Sequence, residues 1–205
     1  MNHRFHAFIA ILFLLAAGFT HAADPYEEAY RQISPTQPTQ TDDKIEVVEI
    51  FWYGCPHCYD FEPHIERWHE NAPDDVAFRR MPAVLNQSWI PHARAYYTAA
   101  KLGVLEQIHK PLFDALHRER KRIFSESDLR DFFVSRGVDG GDFTRVYNSN
   151  EVETKIKQAY FMARNYKLTG VPSVVVNGKY MTSASMTGTY EKLIQVIDHL
   201  VEKER

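Results

Sequence analysis

The feature that most constrains this chain is the tetrapeptide Cys55-Pro56-His57-Cys58, which holds the only two cysteines among its 205 residues. Residues 45–53 before it form an apolar run rich in β-branched and aromatic side chains, which predicts a central strand covered on both faces. Residues 56–70 after it predict a helix with Pro56 in its first turn. Both thiols are therefore expected near a helix N-terminus, where free backbone N–H groups and the helix dipole favour thiolate.

The spacing of the two cysteines is compatible with a redox-active pair, a structural disulfide or a metal site. A disulfide across two intervening residues closes a very small loop and would constrain the unfolded chain little. Structural zinc sites usually take four ligands, and the sequence has neither a second Cys-x-x-Cys motif nor a histidine pair at zinc-binding spacing. Redox chemistry is the favoured interpretation, and the other two remain alternatives.

The first 22 residues have the three parts of a secretory signal peptide. Arg4 supplies a positive charge, residues 7–19 are apolar or small, and small residues around Ala22 would suit a signal peptidase. The apolar run is shorter than the roughly 20 residues that a spanning helix needs, so an uncleaved anchor is the weaker alternative. We therefore expect export and exclude residues 1–22 from the fold.

The mature chain divides into two α/β halves around a helical stretch. Residues 23–83 predict a β-α-β order, and residues 167–205 predict a hairpin at Asn177-Gly178 followed by an amphipathic helix. Residues 84–166 give no strand signal, although Gly140-Gly141 predicts a turn there. This pattern, with Cys-x-x-Cys after the first central strand, predicts an α/β thioredoxin-like fold with an inserted all-helical subdomain. A net charge of -3 gives no nucleic-acid footprint.

Several of these features together resemble the DsbA family of periplasmic thiol:disulfide oxidoreductases. They are the Cys-Pro-His-Cys tetrapeptide, Glu49 six residues before Cys55, the helical insertion, Val171-Pro172 and the signal peptide. The resemblance implies an enzyme that donates its active-site disulfide to exported proteins, without a cofactor. It also implies a periplasmic location and reoxidation by a DsbB-like membrane protein linked to quinone. We expect a monomer that binds neither metal nor nucleic acid.

The resemblance also assigns roles to residues of the motif. Cys55 would be the exposed sulfur that attacks and is attacked, and Cys58 the more buried resolving thiol. His57 would stabilise the Cys55 thiolate, the alternative being an inert loop residue. Pro56, Val171 and Pro172 would lie at the substrate-binding surface. A reductase or isomerase, and a peptide-binding chaperone with a structural disulfide, are the alternative functions.

Two further expectations concern residues outside the motif. Glu49 shares a strand face with apolar neighbours, so it should be buried with a raised pKa and could exchange protons with the cysteines. The alternative is an edge-facing carboxylate that reaches solvent. The resemblance implies a cis bond before Pro172 that turns the Val171 backbone toward a bound peptide, whereas an ordinary trans proline could start a strand. The basic stretch 117–122 is expected to be a solvated face.

Overall fold

The computed structural model describes residues 24–41 and 43–205, so the predicted signal peptide lies outside the described residues. A five-stranded mixed sheet forms the centre of the fold. The strands are β1 (Tyr30–Gln32), β2 (Ile45–Phe51), β3 (Val76–Pro82), β4 (Ser173–Val176) and β5 (Tyr180–Ser183). Their order in the sheet is β1-β5-β4-β2-β3. Only the β2–β3 pair is parallel among the described strands, and the other three pairs are antiparallel.

Helices cover the sheet, and most of them follow one another between β3 and β4. This run of five, between Ile90 and Asn165, agrees with the predicted α/β architecture with a helical insertion, while the boundaries 84 and 166 stay a prediction. Within the described residues, none of the helices is both long and apolar enough to cross a membrane. The helices are α1 (Pro56–Glu70), α2 (Ile90–Lys101), α3 (Leu105–His117), α4 (Glu126–Val134), α5 (Gly140–Tyr147), α6 (Asn150–Asn165), α7 (Ala184–Thr187) and α8 (Tyr190–Glu204).

Strand β2 is the buried central strand that the sequence predicts. It lies between β3 and β4, and every residue from position 46 to position 51 is buried. Val47 packs with apolar residues of α1 and α8, whereas Val48 and Ile50 pack with residues of α2 and α6. Burial of each such side chain contributes about 1.5–3 kcal/mol. The strand ends at Phe51, so Trp52 and Tyr53 already belong to the loop before α1.

Two buried carboxylates of β2 are neutralised by arginines of β3. Glu46 pairs with Arg79 and Glu49 with Arg80, each at 2.8 Å from an arginine Nε to a carboxylate oxygen. Glu49 and Arg80 are direct neighbours in the parallel register. Because adjacent strand residues point to opposite faces, the two arginines serve opposite faces of the sheet. A buried carboxylate without such a partner would strongly destabilise the fold.

The predicted hairpin joins β4 to β5. Asn177 and Gly178 have φ values of 50° and 64°, the two positive angles that a type I′ turn requires. The Gly178 carbonyl accepts a hydrogen bond from the Gln37 N–H at 3.0 Å. A Cβ at Gly178 would lie 2.1 Å from the Gln37 carbonyl oxygen. Glycine is therefore required here both by the turn and by the neighbouring segment.

The expectation of a turn at Gly140-Gly141 is wrong, because these residues begin α5. Asp139 is the N-cap, and its side chain accepts hydrogen bonds from the N–H groups of Gly141 at 2.8 Å and Asp142 at 2.9 Å. This capping satisfies two of the free N–H groups of the first turn. It offsets the low intrinsic helix propensity of two glycines.

Candidate active site

The two cysteines lie at the junction of β2 and α1, as the sequence predicts. Cys55 is the N-cap residue of α1, with an extended backbone, and its carbonyl accepts the Tyr59 N–H at 3.1 Å. Cys58 lies within the first turn of the helix. Both side chains are free thiols, and Cys55 is 8% exposed whereas Cys58 is 0% exposed. The expectation of an exposed Cys55 is therefore wrong, because the residue is buried, although it is the more accessible of the two.

The surroundings of the two thiols drive their acidities apart. A hydrogen bond from the Cys58 thiol is the largest effect that lowers the pKa of Cys55, and burial opposes it. The backbone N–H groups of His57 and Cys58 and the charge of His57 lower it further, so that the Cys55 pKa falls to about 6. Burial raises the pKa of Cys58 well above its ordinary value. At neutral pH, Cys55 is therefore mostly thiolate and Cys58 is a thiol.

A loop from the second half of the chain faces Cys55. The Val171–Pro172 peptide bond is cis, as the resemblance implies, and the trans alternative is wrong. The Val171 carbonyl oxygen lies 3.6 Å from the Cys55 Sγ. Pro172 itself is buried. The backbone carbonyl of the half-buried Val171 therefore lies directly beside the more accessible sulfur.

A groove of about 640 Å³ opens next to this loop. Its walls include His57, Val171, Pro172 and the Tyr190 ring at the start of α8. Pro56 and His57 are exposed, and the Tyr190 hydroxyl donates to the His57 carbonyl at 3.1 Å. An extended peptide could lie in this groove with one of its sulfur atoms near Cys55.

Glu49 lies beneath the helix that carries the cysteines. Its side chain is fully buried, so the alternative of an edge-facing, solvent-reaching carboxylate is wrong. Burial is the main cause that raises its pKa to about 7, against the opposing charge of Arg80. The charge of Glu49 in turn helps to raise the Cys58 pKa. The protonation of this carboxyl group and that of the buried thiol therefore influence each other through their charges.

Several polar residues of this buried region have no counterpart in the sequence predictions. Glu62 Oε2 lies 3.5 Å from Arg80 Nη2, and Glu62 Oε1 lies 3.1 Å from His109 Nε2. The Tyr53 hydroxyl lies 2.8 Å from His109 Nδ1. Glu62 could have been found from its spacing, because it lies one turn after Cys58 on the same helix face. No sequence signal marks His109, which reaches this site from the helical insertion.

Helix α3 touches the active-site loop at a second histidine. His117 donates from Nε2 to the Tyr53 carbonyl at 2.7 Å, and its ring stacks on Tyr59 at 5.1 Å between centroids. Residues 118–122 are exposed, as expected for the basic stretch, but His117 is half-buried. The expectation of a solvated face is therefore wrong for this first residue, since it is oriented inward by its hydrogen bond.

Comparison with known proteins identifies the family. Residues 46–195 match the model of the DSBA-like thioredoxin domain. The thiol:disulfide interchange protein DsbA of Pseudomonas syringae pv. tomato is 41% identical over 186 residues, which cover 90% of this chain and 87% of that protein. DsbA of Pseudomonas aeruginosa is 40% identical over 190 residues, which cover 92% and 90%.

Solved structures agree with these sequence matches. The crystal structure of Pseudomonas aeruginosa DsbA superposes with a TM-score of 0.83 at 40% identity, covering 87% of this chain and 93% of that one. The oxidoreductase DsbA from Xylella fastidiosa gives a TM-score of 0.81 at 35% identity, covering 86% and 95%. The chain therefore belongs to the DSBA-like thioredoxin domain family and is a thiol:disulfide oxidoreductase.

Proposed function

We propose that this enzyme works in the oxidising direction, passing the Cys55–Cys58 disulfide to reduced exported proteins. The observation that carries this proposal is the contrast between the two sulfurs, with the pKa of Cys55 lowered to about 6 and the pKa of Cys58 raised. A stabilised Cys55 thiolate favours the reduced enzyme, which makes its disulfide a strong oxidant. The Cys55 thiolate is also a good leaving group in the second exchange step.

The reaction takes two exchange steps. A substrate thiolate attacks the Cys55 Sγ, the Cys55–Cys58 bond breaks, and Cys58 leaves as a thiolate. Glu49 delivers a proton to Cys58 when the enzyme is reduced and takes it back when the enzyme is reoxidised. A second substrate thiolate then attacks the substrate sulfur of the mixed disulfide, and Cys55 leaves as a thiolate. Two electrons have moved from the substrate to the enzyme.

The groove beside the cis loop is the proposed substrate site. The Val171 backbone would pair with an extended substrate segment, in the manner of an added strand. Pro172 and His57 line this groove, and Pro56 is the exposed neighbour of His57. Support comes from the 3.6 Å approach of the Val171 carbonyl to Cys55. Unfolded proteins suit such a site, because it recognises mainly backbone.

The setting of the reaction follows from the sequence and the family. The signal-like segment at residues 1–22 and the relatives named DsbA support a periplasmic location. An oxidase must be reoxidised after each turnover, and a DsbB-like, quinone-linked membrane protein would accept its electrons. The oxidising compartment would keep the substrate disulfides formed.

A refolding assay without any other oxidant tests this proposal. We expect the oxidised enzyme to introduce disulfides into a reduced, unfolded protein, one disulfide per enzyme molecule. The Cys55→Ser enzyme should introduce none, because the attacked sulfur is missing. Lys157→Ala, an exposed change on α6, is the control and should keep full activity.

The same assay separates the alternative functions. An isomerase would rearrange a scrambled protein faster than it oxidises a reduced one, and a chaperone would leave the thiol count unchanged. Retained oxidation by the folded Cys55→Ser protein would contradict the mechanism.

A further inference from the structure

Two buried carboxyl groups, Glu49 and Glu62, share the guanidinium of Arg80. Glu49 Oε2 lies 2.8 Å from Arg80 Nε, and Glu62 Oε2 lies 3.5 Å from Arg80 Nη2. The two side chains are 0% and 9% exposed. Burial raises the pKa of each to about 7. Because like charges this close disfavour double ionisation, the pair tends to retain one proton near neutral pH.

The hydrogen bonds of the two groups are unequal. Each oxygen of Glu62 has a polar contact: His109 Nε2 lies 3.1 Å from Oε1, and Arg80 Nη2 makes a longer ion-pair contact of 3.5 Å with Oε2. Glu49 Oε1 is buried and lacks a hydrogen-bond partner within residues 24–41 and 43–205. An ionised carboxylate with an unpartnered buried oxygen is costly, and one whose two oxygens are both satisfied is less so.

The Tyr53 hydroxyl determines which ring nitrogen of His109 carries the proton and can donate a hydrogen bond. Burial lowers the pKa of His109 to about 3, so the imidazole is neutral and has one N–H. When the Tyr53 hydroxyl donates to Nδ1 at 2.8 Å, the imidazole proton must sit on Nε2. That N–H then points at Glu62 Oε1, and donation to a carboxylate favours its ionised form.

We propose that His109, oriented by Tyr53, is a positioning residue that keeps Glu62 ionised and thereby leaves the exchangeable proton on Glu49. This deepens the proposed function and rests on its assignment of Glu49 as the proton partner of Cys58. The Tyr53–His109–Glu62 chain links the active-site loop, α3 and α1. Glu62 and His109 both line a groove of about 780 Å³ on the surface, so Glu62 also lies nearer to solvent.

Other charged groups face the same region and must be considered. Arg80 is shared by both carboxylates and also contacts Glu66 of α1. Lys110 of α3 acts on Glu62, and Glu66 and Glu106 act on His109. All of these affect Glu62 and His109 regardless of which way the imidazole points. His109 and Glu49 also act on each other directly. Only the His109 N–H depends on the Tyr53 hydroxyl, so Tyr53→Phe changes the donor direction while these other groups stay in place.

Site-resolved titration of the Glu49 and Glu62 carboxyl carbons by ¹³C NMR, in the reduced protein, tests the proposal. In the wild-type protein Glu62 should titrate at lower pH than Glu49. His109→Leu should raise the Glu62 midpoint by roughly half a pH unit or more and lower that of Glu49, because one hydrogen bond to the charged form is lost. His109→Gln keeps a donor near Glu62 and should restore the wild-type order.

Three results would overturn the inference. They are a Glu49 midpoint below that of Glu62 in the wild-type protein, an unmoved Glu62 midpoint in His109→Leu, and an equal shift in both His109 variants. If His109→Leu does not fold, the order of the two midpoints in the wild-type protein still tests the inference. So does Tyr53→Phe, in which both midpoints should shift in the same directions as in His109→Leu. The Cys55→Ser refolding assay is independent of these midpoints, so failure of the proposed function would be recognised separately.

A kinetic measurement connects the carboxyl groups to the thiol. At saturating oxidised glutathione, oxidation of the reduced enzyme is limited by Cys58 attacking the Cys55–glutathione disulfide, which releases glutathione. Glu49 must be ionised to take the Cys58 proton, so the acid limb of this rate should move to lower pH in His109→Leu. In Glu49→Gln the limb should disappear. An unchanged limb in Glu49→Gln would refute the proton role of Glu49 itself.

Discussion

At the residue scale, the chemistry of this enzyme depends on how differently its two sulfurs are placed. Cys55 is the N-cap residue of α1, and the Cys58 thiol and two backbone N–H groups donate to its sulfur. Cys58 lies fully buried in the first turn of the same helix. The first environment stabilises a negative charge and the second opposes it. A single tetrapeptide thus supplies one reactive sulfur, Cys55, and one buried sulfur, Cys58, which remains protonated.

The lowered Cys55 pKa predicts how the stability of the reduced protein depends on pH. The pKa is about 6 in the folded state against 9.0 ordinarily, so the unfolded state holds the proton more tightly between these values. The stabilisation from the thiolate is complete above pH 9, and it is lost as pH falls through 6. Relative to Cys55→Ser, the reduced wild-type protein should gain about 2 kcal/mol in free energy of unfolding between pH 6 and pH 8.

Urea denaturation of both reduced proteins at the two pH values measures this gain. The Cys55→Ser protein is the control, since it lacks the titrating thiol but keeps the remaining charges. A difference between the two proteins that does not change with pH would contradict the assigned thiolate.

The sequence predicts the residues of the motif well, because their chemistry is local. Cys55, Cys58 and Pro56 could be placed at a helix start from the tetrapeptide and its neighbours alone. The burial of Glu49 followed from the apolar strand around it. Arg80 and His109 could not be assigned to the site, since their contacts depend on strand register and on helix packing.

At the element scale, two connections between secondary-structure elements contain a glycine with a positive φ. Gly178 in the β4–β5 hairpin has a φ of 64°, and the Gln37 backbone lies against its Cα. Gly188, after α7, has a φ of 80° but open space around it. A side chain at Gly188 would therefore meet only the unfavourable backbone conformation, whereas a side chain at Gly178 would also clash with the Gln37 backbone.

This contrast makes a prediction for two alanine variants. Gly188→Ala should lower the free energy of unfolding by about 1 kcal/mol, the cost of a left-handed non-glycine residue. Gly178→Ala should cost clearly more, about 2–4 kcal/mol, because the backbone of residue 37 must also move. Urea denaturation of the two proteins measures both values. Equal losses would show that the contact with Gln37 adds nothing.

The elements themselves were only partly predictable. The hairpin and the amphipathic face of α8 followed from Asn177-Gly178 and from the spacing of apolar residues. Strand β1 gave no sequence signal because it has three residues and pairs only with β5. The start of α5 was missed because the capping by Asp139 outweighed the glycine signal.

At the scale of the whole molecule, the active site is assembled from three distant parts of the chain. The thiols come with α1, the cis loop arrives 116 residues later, and α3 brings His109 and His117 from the helical insertion. Such long-range convergence cannot be worked out from spacing alone, which is why the family resemblance was needed to place Val171 and Pro172.

The same convergence explains how the fold supports an oxidant. The helix start and the Cys58 thiol stabilise negative charge on Cys55, while the buried carboxyl group of Glu49 is the proton partner that we propose for Cys58. The oxidising direction depends on this contrast above all.

The most direct test of the account is titration of the Cys55 thiolate by its ultraviolet absorbance in the reduced wild-type protein. We predict one absorbance step with a midpoint near the Cys55 pKa of about 6, and its absence below pH 8 in the Cys55→Ser control. A step near 9.0, the ordinary value for this thiol, would contradict the stabilised thiolate and, with it, the proposed oxidising direction.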